Sequence, residues 1–171
     1  MIEHVLARVS GLADETFITT NNPDDYAYLG LPMASDEEPG AGALPGLLTA
    51  LRAARGETVL VIACDMPFVN RLLLEYLLAL APRADVVVPC WDGTYQTLQS
   101  VYARKKCARA VSKALEQGEK RMIGFYPLVK VHTVSQDEIE AIDPQGRSFF
   151  NVNTPEDLAQ AERLLSQARD T

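Results

Sequence analysis

The chain has 171 residues, of which 47% are hydrophobic, and a net charge of −7 at neutral pH. This length allows one sizeable core and is too short for two ordinary domains, so we expect a single domain over residues 1–171. The negative charge, without a polybasic run, disfavours binding to DNA or to an anionic membrane surface, and no apolar run approaches the ~20 residues that span a bilayer.

The N-terminal residues and the cysteines indicate the compartment. The first residues show no basic leader, apolar segment or small-residue cleavage site, so we expect a cytoplasmic protein. Cys64, Cys90 and Cys107 are odd in number and form no Cys-x-x-Cys pair, which disfavours a disulfide framework and a zinc site. We interpret them as free thiols.

In the first third of the chain, the pattern of residues predicts two helices and two strands. Apolar residues at helical spacing predict an opening amphipathic helix; they are Ile2, Val5, Leu6 and Val9. A short β-like run over residues 15–20 leads to a turn at 21–24. A second helix carries the leucines of residues 44–51 and ends before Gly56. Residues 58–63 are continuously apolar, which is typical of a strand buried on both faces of a parallel sheet.

The remaining chain continues the alternation of helices and strands. The pattern predicts helices over residues 70–80 and 104–117, strands over 84–89 and 129–134, and a further strand over 95–102, with an antiparallel orientation as one option. Thr154-Pro155-Glu156-Asp157 begins a last helix, with a hydroxyl N-cap, proline at the first position and acids in the first turn. The order of elements predicts an α/β fold with right-handed crossovers.

Three segments carry candidate chemistry, because ligands of open parallel sheets bind beyond the carboxyl ends of the strands. Asp65 directly follows the most buried strand, where a carboxylate can hold Mg²⁺ against substrate phosphates or can simply cap the next turn. Residues 35–46 carry Gly40, Gly42 and Gly46 before a helix, which suits either close approach of a ligand or a surface loop. Asn151 and Asn153 lie on one side of an extended segment. They are candidates to contact a ligand, and hydrogen bonds to the local backbone are the alternative.

Taken in this order, three motifs closely resemble the molybdenum cofactor guanylyltransferases. The motifs are Asp36 with Gly42-Ala-Leu-Pro-Gly46, then Cys64-Asp-Met-Pro67, then Phe150-Asn-Val-Asn-Thr-Pro-Glu-Asp157. The proline of the glycine motif is displaced from the family's usual Gly-Pro-Leu-Ala-Gly. The resemblance implies a three-layer, Rossmann-like nucleotide-diphospho-sugar transferase fold with a mostly parallel sheet.

The resemblance also implies an activity and roles for residues. The family transfers GMP from GTP to the phosphate of molybdopterin in a Mg²⁺-dependent reaction that releases pyrophosphate. By this resemblance Asp65 is the Mg²⁺ ligand, and Asn151 and Asn153 act beside the reacting phosphates. The implied guanine nucleotide pocket includes Asp65 and the residues Thr19, Asn21, Asp36, Gly42 and Gly46.

The acceptor side of the reaction has one candidate segment. Lys120 and Arg121 are adjacent cations whose place in the chain resembles the pterin side of the family, so they are candidates to bind molybdopterin. A solvated pair favoured by the end of a helix is the equal alternative. Other proteins of molybdenum cofactor biosynthesis are the expected partners.

The family's opening strand and its Leu-Ala-Gly-Gly-x-Ser-x-Arg-Met-Gly loop have no counterpart in this sequence. We expect the first strand of the sheet to be missing, and we favour a recorded start that lies downstream of the natural one. For the 171-residue chain itself we expect no appreciable GMP transfer and weak GTP affinity. Turnover of GTP and molybdopterin by that chain would contradict this expectation.

Two rival functions remain open at this point. Cytidylyltransferases and sugar-phosphate nucleotidyltransferases share the fold and the metal aspartate, although the glycine spacing and the two asparagines favour the guanylyl family. The second rival is a domain that binds molybdopterin or a partner protein without catalysis. Retention of Asp65, Asn151 and Asn153 disfavours this second rival.

Overall fold

The computed structural model describes residues 1–35 and 42–167. The α-helices of these residues are α1 (Ile2–Val9), α2 (Ala43–Ala53), α3 (Arg71–Leu80), α4 (Arg104–Glu116), α5 (Gln136–Glu140) and α6 (Pro155–Gln167). The strands are β1 (Ile18–Thr19), β2 (Met33–Ala34), β3 (Thr58–Ile62), β4 (Val86–Trp91), β5 (Thr94–Tyr95), β6 (Gln99–Ala103) and β7 (Val131–Val134). Short 3-10 helices cover Pro23–Leu29, Ala81–Arg83, Tyr126–Leu128 and Arg147–Phe149. No helix in these described stretches has the length and apolar character needed to cross a bilayer.

The main sheet is mixed. Its strands follow the order β3-β6-β4, with β7 and the hairpin strand β5 also paired to β4. Strand β6 runs antiparallel to both β3 and β4, whereas β7 runs parallel to β4. Strands β3, β4 and β7 therefore share one direction, and their carboxyl ends meet at one edge of the sheet. The predicted antiparallel option for the strand within residues 95–102 is confirmed, although that segment is split between β5 and β6.

The prediction that residues 58–63 are buried on both faces of a parallel sheet is wrong in two respects. The neighbour of β3 is the antiparallel β6, and only Val59 of its apolar residues is buried. Leu60 to Ile62 are half-buried, since β3 has β6 as its only partner among the described strands and its other edge faces a cleft. Beyond that cleft, β1 and β2 form a separate parallel pair.

The helices cover both faces of the main sheet, which gives the three predicted layers. On one face, leucines of α2 pack with apolar residues of α4 and with Val59, Val86 and Tyr102 of the sheet. On the other face, Leu73, Leu74 and Leu77 of α3 pack with Val87, Val101 and Val5 of α1. The stripe that predicts α1 thus faces this second cluster, although Val5 is its one fully buried member.

Local hydrogen bonds fix where the helices begin. The Asn70 side chain accepts a bond from the backbone N–H of Leu72 and starts α3. Ser135 and Glu138 form a reciprocal capping box at α5. At α6, the backbone N–H of Asp157 donates to Thr154 Oγ1 over 3.1 Å, which confirms the N-cap predicted for Thr154. The predicted turn at residues 21–24 is in part wrong, because Pro23 begins a 3-10 helix that runs to Leu29.

Candidate active site

A cleft of about 950 Å³ separates β3 from the β1 segment. Four of the predicted nucleotide residues line it, namely Thr19, Gly42, Gly46 and Asp65. They come from four different elements: the end of β1, the residue before α2, the first turn of α2, and the turn after β3. The fold therefore brings together residues that are up to 46 positions apart in the sequence.

The backbone holds Asp65 at the carboxyl edge of the sheet. The N–H of Ala63 donates to the carbonyl of Leu98 over 2.8 Å, and the N–H of Val152 donates to the carbonyl of Asp65 over 2.9 Å. These two bonds tie the turn after β3 to the start of β6 on one side and to the segment of the two asparagines on the other. Asp65 is therefore placed by main-chain contacts, which leave its carboxylate available.

The carboxylate of Asp65 fits a cation ligand. Its Oδ1 atom is buried and has no hydrogen-bond partner among the described residues. A buried carboxylate oxygen without a donor is costly, and a cation would remove that cost. No group of three or more histidine, cysteine or acidic side chains that could hold a metal occurs in residues 1–35 and 42–167. The single carboxylate of Asp65 suits Mg²⁺, which is commonly held by one or two carboxylates together with substrate phosphates and water.

The two asparagines follow a well-anchored segment. Phe149 packs against Trp91 and Phe150 against Phe68, each pair with ring centroids 5.7 Å apart. Beyond them Asn151 and Asn153 are exposed, and Val152 between them makes the bond to Asp65. The chain thus brings both asparagines to the same edge of the sheet as Asp65.

The free backbone N–H groups at the start of α6 are satisfied by a nearby carboxylate. The backbone N–H groups of Asn153 and Thr154 donate to Asp157 Oδ2 at 3.1 and 2.9 Å. The bond from Asn153 is the main cause that lowers the pKa of the Asp157 carboxyl, followed by the Thr154 hydroxyl. Asp157 is therefore an ionised helix cap, and its carboxylate is committed to the backbone.

The predicted base side of the pocket lies around the end of β1. The N–H of Thr20 bonds the carbonyl of Ala34, and the N–H of Asn22 bonds Thr20 Oγ1, so the residues around Asn21 are held beside β2. Gly42 has a φ of +102°, a conformation that side chains rarely adopt, directly before α2. Asp36, also predicted for this pocket, lies outside the described residues.

Tyr26 also lines this cleft, although no motif of the sequence indicates it. It belongs to the 3-10 helix Pro23–Leu29, only the first two residues of which fall in the predicted turn, and no periodic pattern points to it. Its position seven residues after the end of β1 is the one signal that the sequence offers.

Lys120 and Arg121 lie apart from these groups. Lys120 lines a different cavity of about 700 Å³, together with Ser35 and Pro45, between α2 and the end of α4. Arg121 forms two side-chain bonds to Glu119, at 3.1 and 2.8 Å. This guanidinium lowers the pKa of the Glu119 carboxyl to about 2, with help from the backbone N–H groups of Arg121 and Lys120.

Cys64 is unsuited to act as a nucleophile. Desolvation raises the pKa of its thiol, although the residue as a whole is exposed, and the neighbouring Asp65 carboxylate raises it further. The thiol is therefore protonated at neutral pH, whereas the thiolate is the reactive form. The asparagine amides at this edge of the sheet can donate to phosphate oxygens, Asp65 can hold a cation that neutralises them, and Cys64 adds no covalent step.

Comparison with known sequences places these features in a family context. A family model described as the MobA-like NTP transferase domain matches residues 1–133. A probable molybdenum cofactor guanylyltransferase of Pelotomaculum thermopropionicum is 36% identical, over 98% of this chain and 83% of the relative. The molybdenum cofactor guanylyltransferase of Desulfosudis oleivorans is 31% identical, over 99% of this chain and 84% of the relative.

Solved structures share the fold. Molybdopterin-guanine dinucleotide biosynthesis protein A of Archaeoglobus fulgidus superposes with a TM-score of 0.80 at 27% identity, covering 97% of this chain and 85% of that one. The 2-C-methyl-D-erythritol 4-phosphate cytidylyltransferase of Thermus thermophilus superposes with a TM-score of 0.74 at 21% identity, covering 96% and 88%. This second likeness concerns the fold alone, and the two together confirm the predicted fold class.

Proposed function

This chain belongs to the MobA-like NTP transferases, and we propose on that basis that it transfers GMP from GTP to the terminal phosphate of molybdopterin. Relatives named as molybdenum cofactor guanylyltransferases, matched over nearly the whole chain, support this activity. We take residues 1–171 as one nucleotidyltransferase domain, because helices pack on both faces of one main sheet. Since GTP is abundant in the cytoplasm, we propose that compartment for the reaction, with other molybdenum cofactor biosynthesis proteins as partners.

The proposed reaction is a substitution at phosphorus. An oxygen of the molybdopterin phosphate attacks the α-phosphorus of GTP, a new P–O bond forms, and the bond between the α-phosphorus and its bridging oxygen breaks. Pyrophosphate leaves with the electron pair of that bond. Such a reaction depends mainly on in-line positioning and on neutralising charge between two anions, so no side-chain nucleophile is needed. The protonated thiol of Cys64 agrees with this view.

Asp65 has the central role in this proposal. A divalent cation, which we take to be Mg²⁺, would neutralise the triphosphate and reduce its repulsion of the acceptor phosphate. Asp65 would hold that cation through its carboxylate, whose buried Oδ1 lacks a partner among the described residues. The bond from Val152 to the Asp65 carbonyl keeps the carboxylate in place without using it.

The other predicted residues are assigned around Asp65. Asn151 and Asn153 would donate amide hydrogens to phosphate oxygens, because each offers two donors and both lie on the exposed segment beside Asp65. Thr19, Asn21 and Asp36 would contact the guanine nucleotide. Gly42 and Gly46 would let the backbone at the start of α2 approach it closely, and both line the cleft.

The acceptor would bind on the side of Lys120 and Arg121. Lys120 carries a positive charge at a cavity of its own, between α2 and the end of α4. Arg121 is already neutralised by Glu119, so it would contribute to anion binding only when that pair opens. Lys120 is therefore the stronger candidate of the two for the molybdopterin phosphate.

The observation that carries the proposal is the buried Asp65 Oδ1, which has no hydrogen-bond partner in residues 1–35 and 42–167. In this family of nucleotidyltransferases, it lies at a cleft that Thr19, Gly42 and Gly46 also line. The test is binding of nucleotides to the protein as the cell makes it, so that any residues encoded before Met1 are included. With Mg²⁺ present, we expect GTP to raise the melting temperature and CTP to have little effect. Equal stabilisation by CTP would contradict the guanylyl assignment.

A further inference from the structure

Tyr26 lies on the inner face of the 3-10 helix Pro23–Leu29. In a helix with three residues per turn, residues i and i+3 share a face, and Tyr26 and Leu29 are the two half-buried residues of this one. Tyr28 points the other way and is 66% exposed. The two tyrosines therefore present their rings to different surroundings within one short helix.

Hydrogen bonds hold both ends of this 3-10 helix, and they fix the backbone that carries Tyr26. At its start, the N–H of Asp25 donates to the carbonyl of Asn22 over 3.2 Å, and the N–H of Asn22 donates to Thr20 Oγ1 over 3.1 Å. At its end, the N–H of Gly30 donates to the carbonyl of Ala27 over 3.2 Å. The chain thus turns back over the end of β1 and carries Tyr26 to the cleft.

Two aromatic side chains, Phe17 and Tyr26, line the cleft in the described part of the chain. Phe17 packs against the core formed by α2 and α4, which commits much of its surface to protein contacts. Tyr26 belongs to neither apolar core. A half-buried ring that lines a cleft and joins no core offers a flat apolar surface to a ligand.

We propose that Tyr26 stacks on the base of the bound nucleotide. The inference rests on the proposed function, and it adds a base-binding residue that neither motif nor spacing indicates. Thr19, seven residues before Tyr26, and Gly42, before α2, line the same cleft and belong to the predicted nucleotide pocket. A stacked ring contacts the base equally before and during the reaction, so Tyr26 contributes to affinity and leaves the chemical step unchanged.

The test compares Tyr26→Ala with Tyr28→Ala in the protein as the cell makes it. Calorimetric titration with GTP and Mg²⁺ gives the dissociation constant, and steady-state kinetics with molybdopterin give KM and kcat. We expect Tyr26→Ala to raise both the dissociation constant and KM for GTP by roughly 5- to 100-fold with kcat within about twofold, as for a lost stacking contact. Tyr26→Phe, which keeps the ring, restores both constants, and Tyr28→Ala matches the parent.

Other outcomes overturn the proposal. If the parent binds GTP and Tyr26→Ala binds it as tightly as Tyr28→Ala does, the stacking role is wrong while the proposed function stands. If the parent binds no GTP, the proposed function fails and this inference fails with it. Should Tyr26→Ala be too unstable to purify, Tyr26→Leu keeps apolar bulk without a π face, and unchanged GTP affinity in that variant equally overturns the proposal.

Discussion

The backbone N–H of Val152 donates a hydrogen bond of 2.9 Å to the carbonyl oxygen of Asp65. This bond joins two motifs that lie 87 residues apart in the sequence. It sets the segment of Asn151 and Asn153 beside the carboxylate that we propose as the cation ligand.

Asp65→Asn removes the charge that would hold the cation and keeps the shape of the side chain. We expect the rate of pyrophosphate release to fall by roughly 10²- to 10³-fold, as when one main electrostatic contact of a transition state is lost. The melting temperature should stay near that of the parent, since Oδ1 has no partner to lose among the described residues.

The matched control for this change is Asp92→Asn, at the end of β4. Asp92 lies in the hairpin turn with a φ of +47°, which asparagine tolerates as well as aspartate does. We expect this variant to react at the rate of the parent. A similar loss of rate in both variants would show that overall charge, and not the Asp65 site, is responsible.

Asn153→Ala and Thr154→Ala should separate catalysis from helix capping. Thr154 accepts the bond from the N–H of Asp157, so its loss should lower the free energy of unfolding by about 1 kcal/mol with a smaller effect on rate. Asn153 uses its backbone N–H for Asp157, and alanine keeps that bond. We expect Asn153→Ala to lower the rate at least tenfold with little change in unfolding by urea. The reverse pattern would assign Asn153 a structural role only.

The pair of Glu119 and Arg121 should titrate in a defined pH window. The pKa of Glu119 is lowered from 4.5 to about 2, chiefly by the Arg121 guanidinium. A lowered carboxyl pKa means that the stabilisation is complete above about pH 4.5 and is lost as the pH falls towards 2. NMR titration of the Glu119 carboxyl should give a midpoint near 2 in the parent and one closer to 4.5 in Arg121→Ala. A parent midpoint near 4.5 would refute the pairing.

Gly146 packs directly under the ring of Trp91. A Cβ at Gly146 would lie 2.2 Å from a ring carbon, and the residue also has a φ of +58°. Gly146→Ala should therefore lower the free energy of unfolding through backbone strain and through overpacking of about 1–3 kcal/mol.

Gly11→Ala is the control for the backbone strain alone. Gly11 has a φ of +72° with open space around the Cβ position. In urea unfolding, we expect Gly146→Ala to have a lower free energy of unfolding than Gly11→Ala. The difference between the two variants is the overpacking contribution. Equal losses in the two variants would show that Trp91 can move aside without cost.

The sequence predicted α1, α2, α3 and α4 because their apolar stripes face the two cores, and it predicted α6 from its N-terminal residues, whereas the short α5 was missed. The stripe of Val5 and the N-cap of Thr154 needed no tertiary information. The short strand β1 was overestimated, because within the predicted run over residues 15–20 only Ile18–Thr19 pairs with β2. The 3-10 helix after β1 was missed because its sequence also favours a turn.

The positions of the candidate site residues were predicted in part from the sequence. The rule that ligands bind beyond strand ends located Asp65, and the sequence order of motifs located the glycines and asparagines. Two features depend on contacts that no spacing reveals. Tyr26 lines the cleft through the path of its 3-10 helix, and Glu119 neutralises Arg121 within one turn. The role of Asp36 stays a prediction, because it lies outside the described residues.

The most direct measurement follows phosphorus from labelled GTP in the protein as the cell makes it. GTP labelled at the α-phosphorus is incubated with molybdopterin and Mg²⁺, and the products are separated. We expect label in a molybdopterin guanine dinucleotide, with one pyrophosphate released per label transferred, and no transfer from CTP. Folded protein that transfers no label from GTP, or that transfers it as readily from CTP, would contradict the proposed guanylyl transfer.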